Sequence, residues 1–405
     1  MRLVYYEFRK LWTQTTKICF FSLILITFIL SIFSLIDYPK SILSDGQIMD
    51  GVKGIRVVAQ ESQSLAGDID QKYLRWLKKT YGLSTEKKKA GQHLGHYIHK
   101  YEINSFLNFA RKGDAATNYD LTLDWITTET NFYHHYRNAV YNSIKTDNEE
   151  DWGDTKVCYT TAQLKYIQEK IQKMKTPFQV TSSNLTGVKN FVRCHGEYYW
   201  ISLVAIAFCL SGLFSKDSSN GLDELYLATK YGRDNSMRAK RIAGNLFATM
   251  IYGTYVALLI AINGLTMTLS GVGNSIQTLW TTCLYPIHVG TGILFVIFIG
   301  WLTALFIANL TMLLSEKSKH RGIATLIMVL FIFFLKYMES TSQISKLVGN
   351  PLYFVTHFSS GEFDVFYFIG EWGVPYTVLS VIVNVSIILF TIMWMKREDR
   401  IYWIN

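Results

Sequence analysis

Apolar runs of spanning length punctuate the chain, separated by polar segments of very unequal size. A hydrocarbon core of about 30 Å needs about 20 helical residues to cross it. Ile18 to Ile36 supplies such a run without a charge. Tyr198 to Phe214, Ile242 to Ser270, Leu284 to Leu314 and Val374 to Met395 supply others. Gly322 to Leu335 is shorter and ends on Lys336, whose stem reaches toward the interface. The pattern predicts a mainly α, six-helix polytopic membrane protein.

Residues 37–197 form the longest polar interval and are numerous enough for a core of their own. Their periodicity is mostly helical. Ile69, Leu74, Trp76 and Leu77 mark one helix; Leu94, Tyr97, Ile98, Tyr101, Phe106 and Phe109 mark a second region. Leu121 to Ile144 reads as a third helix, and Leu164, Ile167 and Ile171 as a fourth, ended by Pro177. Ile55 to Val58 fits a short strand. The predicted division is an interfacial helix within 1–17, span 1 at 18–36, a domain at 37–197, span 2 at 198–214, a loop at 215–241, and spans 3–6 within 242–405. The first segment suits the headgroup zone, because Val4, Phe8, Leu11 and Trp12 recur at helical spacing between charges. Residues 338–373 are too apolar for a plain loop and predict re-entrant or interfacial helices, with a turn at Asn350-Pro351.

Charge sets the expected orientation. Basic residues favour the cytoplasmic side of short loops. Arg2, Arg9, Lys10 and Lys17 precede the first run; Lys216, Lys230, Arg233, Arg238, Lys240 and Arg241 follow the second. Lys317, Lys319 and Arg321 lie between the fourth and fifth, and Lys396, Arg397 and Arg400 follow the last. Segment 271–283 has no basic residue, and 337–373 has only Lys346. Both termini are therefore expected in the cytoplasm of a cell (plasma) membrane, with residues 37–197 outside. The first run is too long for a signal-peptide core, and no small-x-small site follows, so it is expected to remain as a span.

The net charge of +9 would suggest nucleic acid on a soluble protein. Here the charges sort by membrane side, and no nucleic-acid partner is expected. No stretch fits G-x-x-x-x-G-K-[ST], so ATP binding through a Walker motif is not expected on this chain.

The loop after the second run carries a resemblance. Phe214-Ser-Lys-Asp-Ser-Ser-Asn-Gly-Leu-Asp-Glu-Leu, then Lys230-Tyr-Gly-Arg-Asp and Arg238-Ala-Lys-Arg, resembles the first cytoplasmic loop of permease subunits of type-2 ATP-binding-cassette (ABC) exporters. In that family an acidic residue, a glycine, an apolar coupling helix and a basic stretch follow in order. The segment at 2–12 matches their elbow helix, and the apolar stretch before the last run matches their outer re-entrant helices. The enlarged first outer domain resembles a subgroup in which some members serve antimicrobial-peptide export or immunity.

The resemblance implies a transport subunit without catalytic residues or cofactors of its own. ATP and Mg would sit on a separate ABC ATPase chain. A second permease copy, or a homologous permease, would complete the pathway for a peptide or lipid-like substrate. It assigns ATPase coupling to Asp217, Gly221, Leu222, Glu224, Leu225, Tyr231 and Arg233. Gly221 would permit a close turn, and the leucines would fill a cleft on the motor. An ordinary amphipathic surface loop is the other reading of the same residues.

Other candidates carry less. His93, His96 and His99 recur at i, i+3, i+6, so neighbours lie about 60° apart on a helix, and three do not readily share one metal ion. His134 and His135 could add ligands, but no Asp, Glu or Cys pattern completes a site, and no metal is expected. Cys19, Cys209 and Cys283 lie in or beside apolar runs and suit packing. Cys158 and Cys194 fall in the outer segment, where a disulfide would add about 3–4 kcal/mol in the chain-entropy account; two separate thiols are the alternative.

Asn263, Asn309 and Asn384 sit within apolar runs. Interhelical hydrogen bonding, worth about 0.6–2 kcal/mol, and lining of a pathway are the two readings. Ionisable groups in the runs are almost limited to His288 and Lys336, which argues against an ion-coupled carrier and an intramembrane enzyme. The alternative to a transporter is a membrane sensor whose outer domain binds a ligand without transport.

Overall fold

The computed structural model describes residues 2–36, 41–42, 48–49, 54, 66–81, 132–149, 159–182, 184–215, 232–318, 320–339, 350–361, 366–369 and 372–401. Eleven α-helices account for most of them. In chain order these are α1 (Arg2–Leu11), α2 (Gln14–Ile36), α3 (Gln71–Tyr81), α4 (Phe132–Glu149), α5 (Thr161–Gln172) and α6 (Thr186–Leu210). Then follow α7 (Gly232–Thr266), α8 (Val289–Lys317), α9 (Arg321–Glu339), α10 (Pro351–Ser360) and α11 (Tyr376–Ile401). A 3-10 turn at Ile276–Thr278 and three two-stranded antiparallel pairs complete the described elements: β1 (Ser41–Ile42) with β2 (Ile48–Met49), β3 (Gly67–Asp68) with β4 (Gln179–Val180), and β5 (Phe366–Ile369) with β6 (Trp372–Pro375).

Five described helices are long and apolar enough to cross a membrane: α2, α7, α8, α9 and α11. The chain is thus a mainly helical, multi-pass membrane protein. The run expected as span 2 lies in α6 and is not among the five. The reason is in its residues. The helix starts at Thr186, well ahead of the apolar run, and its first half carries Lys189, Arg193 and Glu197. That helix is nonetheless the axis of the bundle, packing on α2, α7, α8, α9 and α10. Its buried face alternates large rings with small residues: Phe191, Cys194, His195, Tyr199, Ser202, Leu203, Ile206 and Ala207.

The helices around it keep an apolar outer face. Ile18, Phe21, Leu25 and Phe33 of α2 and Leu326, Leu330 and Phe334 of α9 are exposed. A surface of this kind has lipid tails as its natural solvent. The α9 helix runs beyond the expected end at Leu335, and Lys336 Nζ closes onto Glu339 Oε1 at 2.8 Å in its last turn.

The amphipathic α1 docks rather than standing free. Phe8 and Trp12 meet Phe247 of α7 edge-on, with ring centroids 5.5 and 5.4 Å apart, while Tyr5 and Tyr6 stay exposed. Glu7 is buried and paired with Lys10 at 3.0 Å.

A second core lies apart from the bundle. Ile69, Tyr73, Leu74, Phe132, Tyr136 and Val140 pack there with Ile167, Ile171, Phe178 and Phe366. It joins α3, α4 and α5, the three described helices of the segment read as a domain. A capping box starts α5: Thr160 Oγ1 accepts from Gln163 N, and Gln163 Oε1 accepts from Thr160 N. Such a cap contributes about 1 kcal/mol. The second helical region at 94–109 and the strand at 55–58 lie outside the described residues.

The described residues of segment 338–373 hold one helix and a strand pair. Its helix, α10, has Asn350 as N-cap, Pro351 in the first turn and Gly361 at φ 97° closing it, the terminator a left-handed residue supplies. Residues 340–349, where the other helix of the expected pair would fall, lie outside the described residues; Phe366 and Phe368 recur at spacing two, the strand period, and turn toward Tyr166 of the second core.

Candidate functional site

Of the residues assigned to coupling, Asp217, Gly221, Leu222, Glu224, Leu225 and Tyr231 lie outside the described residues, and Arg233 opens α7. What is described is how the two ends of that loop are held. At its start, Ser315 Oγ of α8 accepts from the backbone N–H groups of Phe214 and Ser215, at 3.1 and 3.2 Å, and donates to Ser211 O at 2.7 Å. A helix end leaves its last carbonyls unpaired, and this hydroxyl satisfies one of them from a neighbouring helix. Thr325 of α9 donates to Ser211 Oγ, and Arg321 donates to Phe208 O.

At the other end of the loop, the first turns of α7 are buried against the same place. Lys240 is 1% exposed, with its ammonium 5.3 Å above the Phe214 ring. Arg241 Nη2 lies 3.6 Å from Glu316 Oε2 of α8. Two turns further in, Asn309 Nδ2 donates to Asn245 Oδ1 at 2.9 Å. The loop ends are thus keyed to α6, α7, α8 and α9 through charged and hydroxyl groups in a buried setting, where such bonds resist exchange with water.

Half-way along the bundle, α10 inserts between helices. Tyr199 Oη donates to Leu352 O at 2.7 Å, and Thr303 Oγ1, at the middle of α8, donates to Pro351 O at 3.3 Å. Asn384 Oδ1 of α11, at 3.4 Å, and Ile299 O of α8, at 3.0 Å, compete with Pro351 O for that one hydroxyl proton. Asn350 Nδ2 donates to Leu335 O of α9. The first turn of α10 is therefore tied to α6, α8 and α9. Beside it, His195 Nε2 and Tyr252 Oη are 2.8 Å apart, and Tyr252 Oη donates to Ile297 O. Gly300 makes this possible: a Cβ there would run into Tyr252 Oη and close on His195.

At the opposite end, the second core is tied to the bundle. Asn274, in the α7–α8 connection, is the hub. Its Oδ1 accepts from Thr181 N at 2.7 Å, Thr181 Oγ1 at 2.7 Å and Ser182 N at 3.1 Å, and its Nδ2 donates to Ser182 O at 2.7 Å. Ser275 N donates to Gln179 O, and Gln179 N donates to Ser275 Oγ. Tyr136 Oη donates to Thr281 O and Tyr166 Oη to Gly373 O. Within the core, Tyr133 Oη donates to Ile69 O at 2.6 Å and accepts from Phe178 N at 2.8 Å. Burial pushes the Tyr133 phenol well above its ordinary value, with Asp68 and Asp70 adding to the shift.

The three membrane asparagines all make interhelical or local bonds. Asn263 Oδ1 accepts from Asn190 Nδ2 at 2.7 Å, and its own Nδ2 donates to Leu259 O. Asn309 pairs with Asn245, and Asn384 with Thr303. Cys194 is a buried free thiol in α6, its Sγ 3.8 Å from Asn190 Oδ1, while Cys158 lies outside the described residues. His93, His96 and His99 lie outside them too; His134 and His135 sit in the first turn of α4. Among the described residues no group of three His, Cys, Asp or Glu could hold a metal ion.

Sequence reasoning missed Asn190, Asn245, Asn274 and Ser315. Asn245 stood in an apolar run and carried the same signal as Asn309. Asn274 was signalled by its turn, with Gly271 at φ 85° just ahead. No protein-family model, curated protein or solved structure matches the chain. The class that the fold defines is a multi-pass helical membrane protein with a second, separate core.

Proposed function

We propose that the chain is the membrane permease subunit of an ATP-driven ABC exporter. In this reading α6 is a span as well, the second of six in chain order, both termini and the 215–241 loop are cytoplasmic, and the second core lies outside. The substrate is an amphipathic, peptide or lipid-like molecule. ABC ATPase subunits supply hydrolysis with ATP and Mg, and a second permease, identical or homologous, completes the pathway.

The observation that carries the reading is the anchoring of both ends of that loop. Ser315 holds its start, and Lys240 and Arg241 hold its end. A push on the loop would reach α6, α7 and α8 together, because the force passes through buried polar contacts rather than a slack tether. The buried first turn of α10 then offers an element that moves with α6 and α8. The bonds from Asn274 to Thr181 and Ser182 favour a second reading, a sensor in which ligand binding to the domain shifts the α7–α8 connection.

Co-purification from native membranes separates the two. The exporter reading expects an ATPase chain to follow the protein, and Leu222→Ala with Leu225→Ala to release it. Absence of any ATPase, with both variants behaving as the parent, would overturn it. Ligand binding by the domain, insensitive to ATP, would favour the sensor.

A further inference from the structure

A cavity of about 570 Å³ opens where the domain-side half of α6 meets α10 and the α7–α8 connection. That size is within the usual range for small-ligand sites. Lys189, Arg193 and Glu197 line it at spacing four along one face of α6, and Trp280, Thr356 and Ser359 stand opposite. The lining thus carries two cationic side chains and one carboxylate. The Ser359 side chain belongs to a residue only 7% exposed, and its hydroxyl oxygen has no hydrogen-bond partner among the described residues. Gly196 lets α6 and Ser359 approach, since a Cβ there would clash with the serine.

Depth decides what could occupy it. The uncharged run of α6 begins at Tyr198. At 1.5 Å per residue, Arg193 lies about 7 Å and Lys189 about 13 Å beyond that boundary, level with a headgroup layer roughly 5–8 Å thick and the water just above it. Below the cavity on the same face, Trp200 packs on Phe333 of α9, their centroids 5.5 Å apart. Phe333, Leu330 and Tyr337 then present an exposed apolar strip.

We propose that this cavity holds the phosphate of an anionic phospholipid from the domain-side leaflet, with its acyl chains lying over the α9 strip. Lys189 and Arg193 bind the phosphate, and the Ser359 and Thr356 hydroxyls orient it. Glu197, one turn deeper, keeps the phosphate from sliding into the apolar zone by charge repulsion. The site rests on membrane placement alone and stands whether or not the chain is an exporter subunit.

The test uses the full chain, purified in mild detergent from vesicles of equal phosphatidylglycerol and phosphatidylcholine, with retained lipid quantified by mass spectrometry. The parent should retain phosphatidylglycerol in excess. Lys189→Gln and Arg193→Gln should each lower that excess about fivefold, and Glu197→Gln should raise it. Should the glutamine variants fold poorly, Lys189→Arg with Arg193→Lys must keep the preference, and salt must abolish it in the parent. An equal lipid ratio in the parent, or an unchanged ratio in the folded glutamine variants, overturns the proposal. So does displacement of the lipid by millimolar inorganic phosphate, which would mark a site for soluble anions.

Discussion

Asn190 Nδ2 donates to Asn263 Oδ1 at 2.7 Å and lies 3.1 Å from Ser34 Oγ, so one buried amide joins α6 to both α7 and α2. No charge is involved, and the bond holds three helices at the end of the bundle nearest the second core. In an apolar surrounding the groups left behind by a deletion have nowhere else to turn. Asn190→Leu is expected to lower the unfolding free energy by about 1–2 kcal/mol in detergent. A double-mutant cycle with Asn263→Leu should give a coupling of about 0.6–1.7 kcal/mol. A coupling near zero would show that the pair is incidental.

Asn274 makes more bonds and joins two cores, so its loss should be regional. Asn274→Ala removes four hydrogen bonds to Thr181 and Ser182 and leaves their backbone groups half-satisfied. About 2–3 kcal/mol of docking stability should go. Limited proteolysis should then cut within 159–182 at least tenfold faster, while the helices of the bundle keep their protection. Equal acceleration throughout the chain would mean that Asn274 stabilises the whole fold instead.

Much of this architecture was legible in the sequence, and the parts that were not have physical reasons. Apolar length announced α2, α7, α8 and α11 because a span must be continuous, whereas the run of α9 was short and its helix continues through Lys336 to Glu339. The α6 helix was half-hidden, since burial against five neighbours lets a helix carry His195 and Asn190 inside and charges on its outer flank. The hairpin at Phe366 to Pro375 was obscured by overall apolarity, and only its period of two distinguished it from helix. Ser315 had no signal at all. A serine near the end of a helix looks like any other until a neighbouring helix end arrives beside it.

Ser315 therefore offers a sharp test of how the loop is anchored. Ser315→Ala takes the side-chain acceptor from the Phe214 and Ser215 N–H groups and leaves Ser211 O with the Ser215 hydroxyl alone as a side-chain donor. Stability should fall by about 1–3 kcal/mol. Hydrogen exchange should rise at residues 211–215 and stay unchanged at 350–361. Ser315→Thr, which keeps the hydroxyl, should restore protection. If alanine leaves exchange at 211–215 as slow as before, the loop start is held by packing rather than by the serine.

Gly300 tests the close approach of α7 and α8. An added methyl meets the Tyr252 hydroxyl and the His195 ring, and all three are buried. Gly300→Ala should cost about 1–3 kcal/mol through overpacking. Adding Tyr252→Phe removes the clashing oxygen and should recover part of that loss, although the Ile297 carbonyl then loses its side-chain donor and His195 Nε2 its hydroxyl partner. The melting temperature of the double variant above that of Gly300→Ala alone would establish the contact; equal values would refute it.

The second core should fail first in alkali, and Tyr133 supplies the reason. Its phenol is neutral and buried in the folded state, donating to Ile69 O and accepting from Phe178 N. Burial holds its folded pKa above the ordinary tyrosine value near 10. The sign follows from proton counting. Below about pH 10 neither folded nor unfolded Tyr133 is ionised, so its contribution is fully present. As pH rises past that point the unfolded chain loses its proton first, the unfolded state gains, and stability falls progressively until the folded phenol ionises too. The fluorescence-monitored midpoint of unfolding of the domain should therefore drop steadily between about pH 10 and 11.5. Tyr133→Phe should weaken that slope. It should also lower stability at pH 7 by about 1–3 kcal/mol, because the Phe178 N–H loses its acceptor. A variant with the parent's slope would assign the alkaline loss to another group.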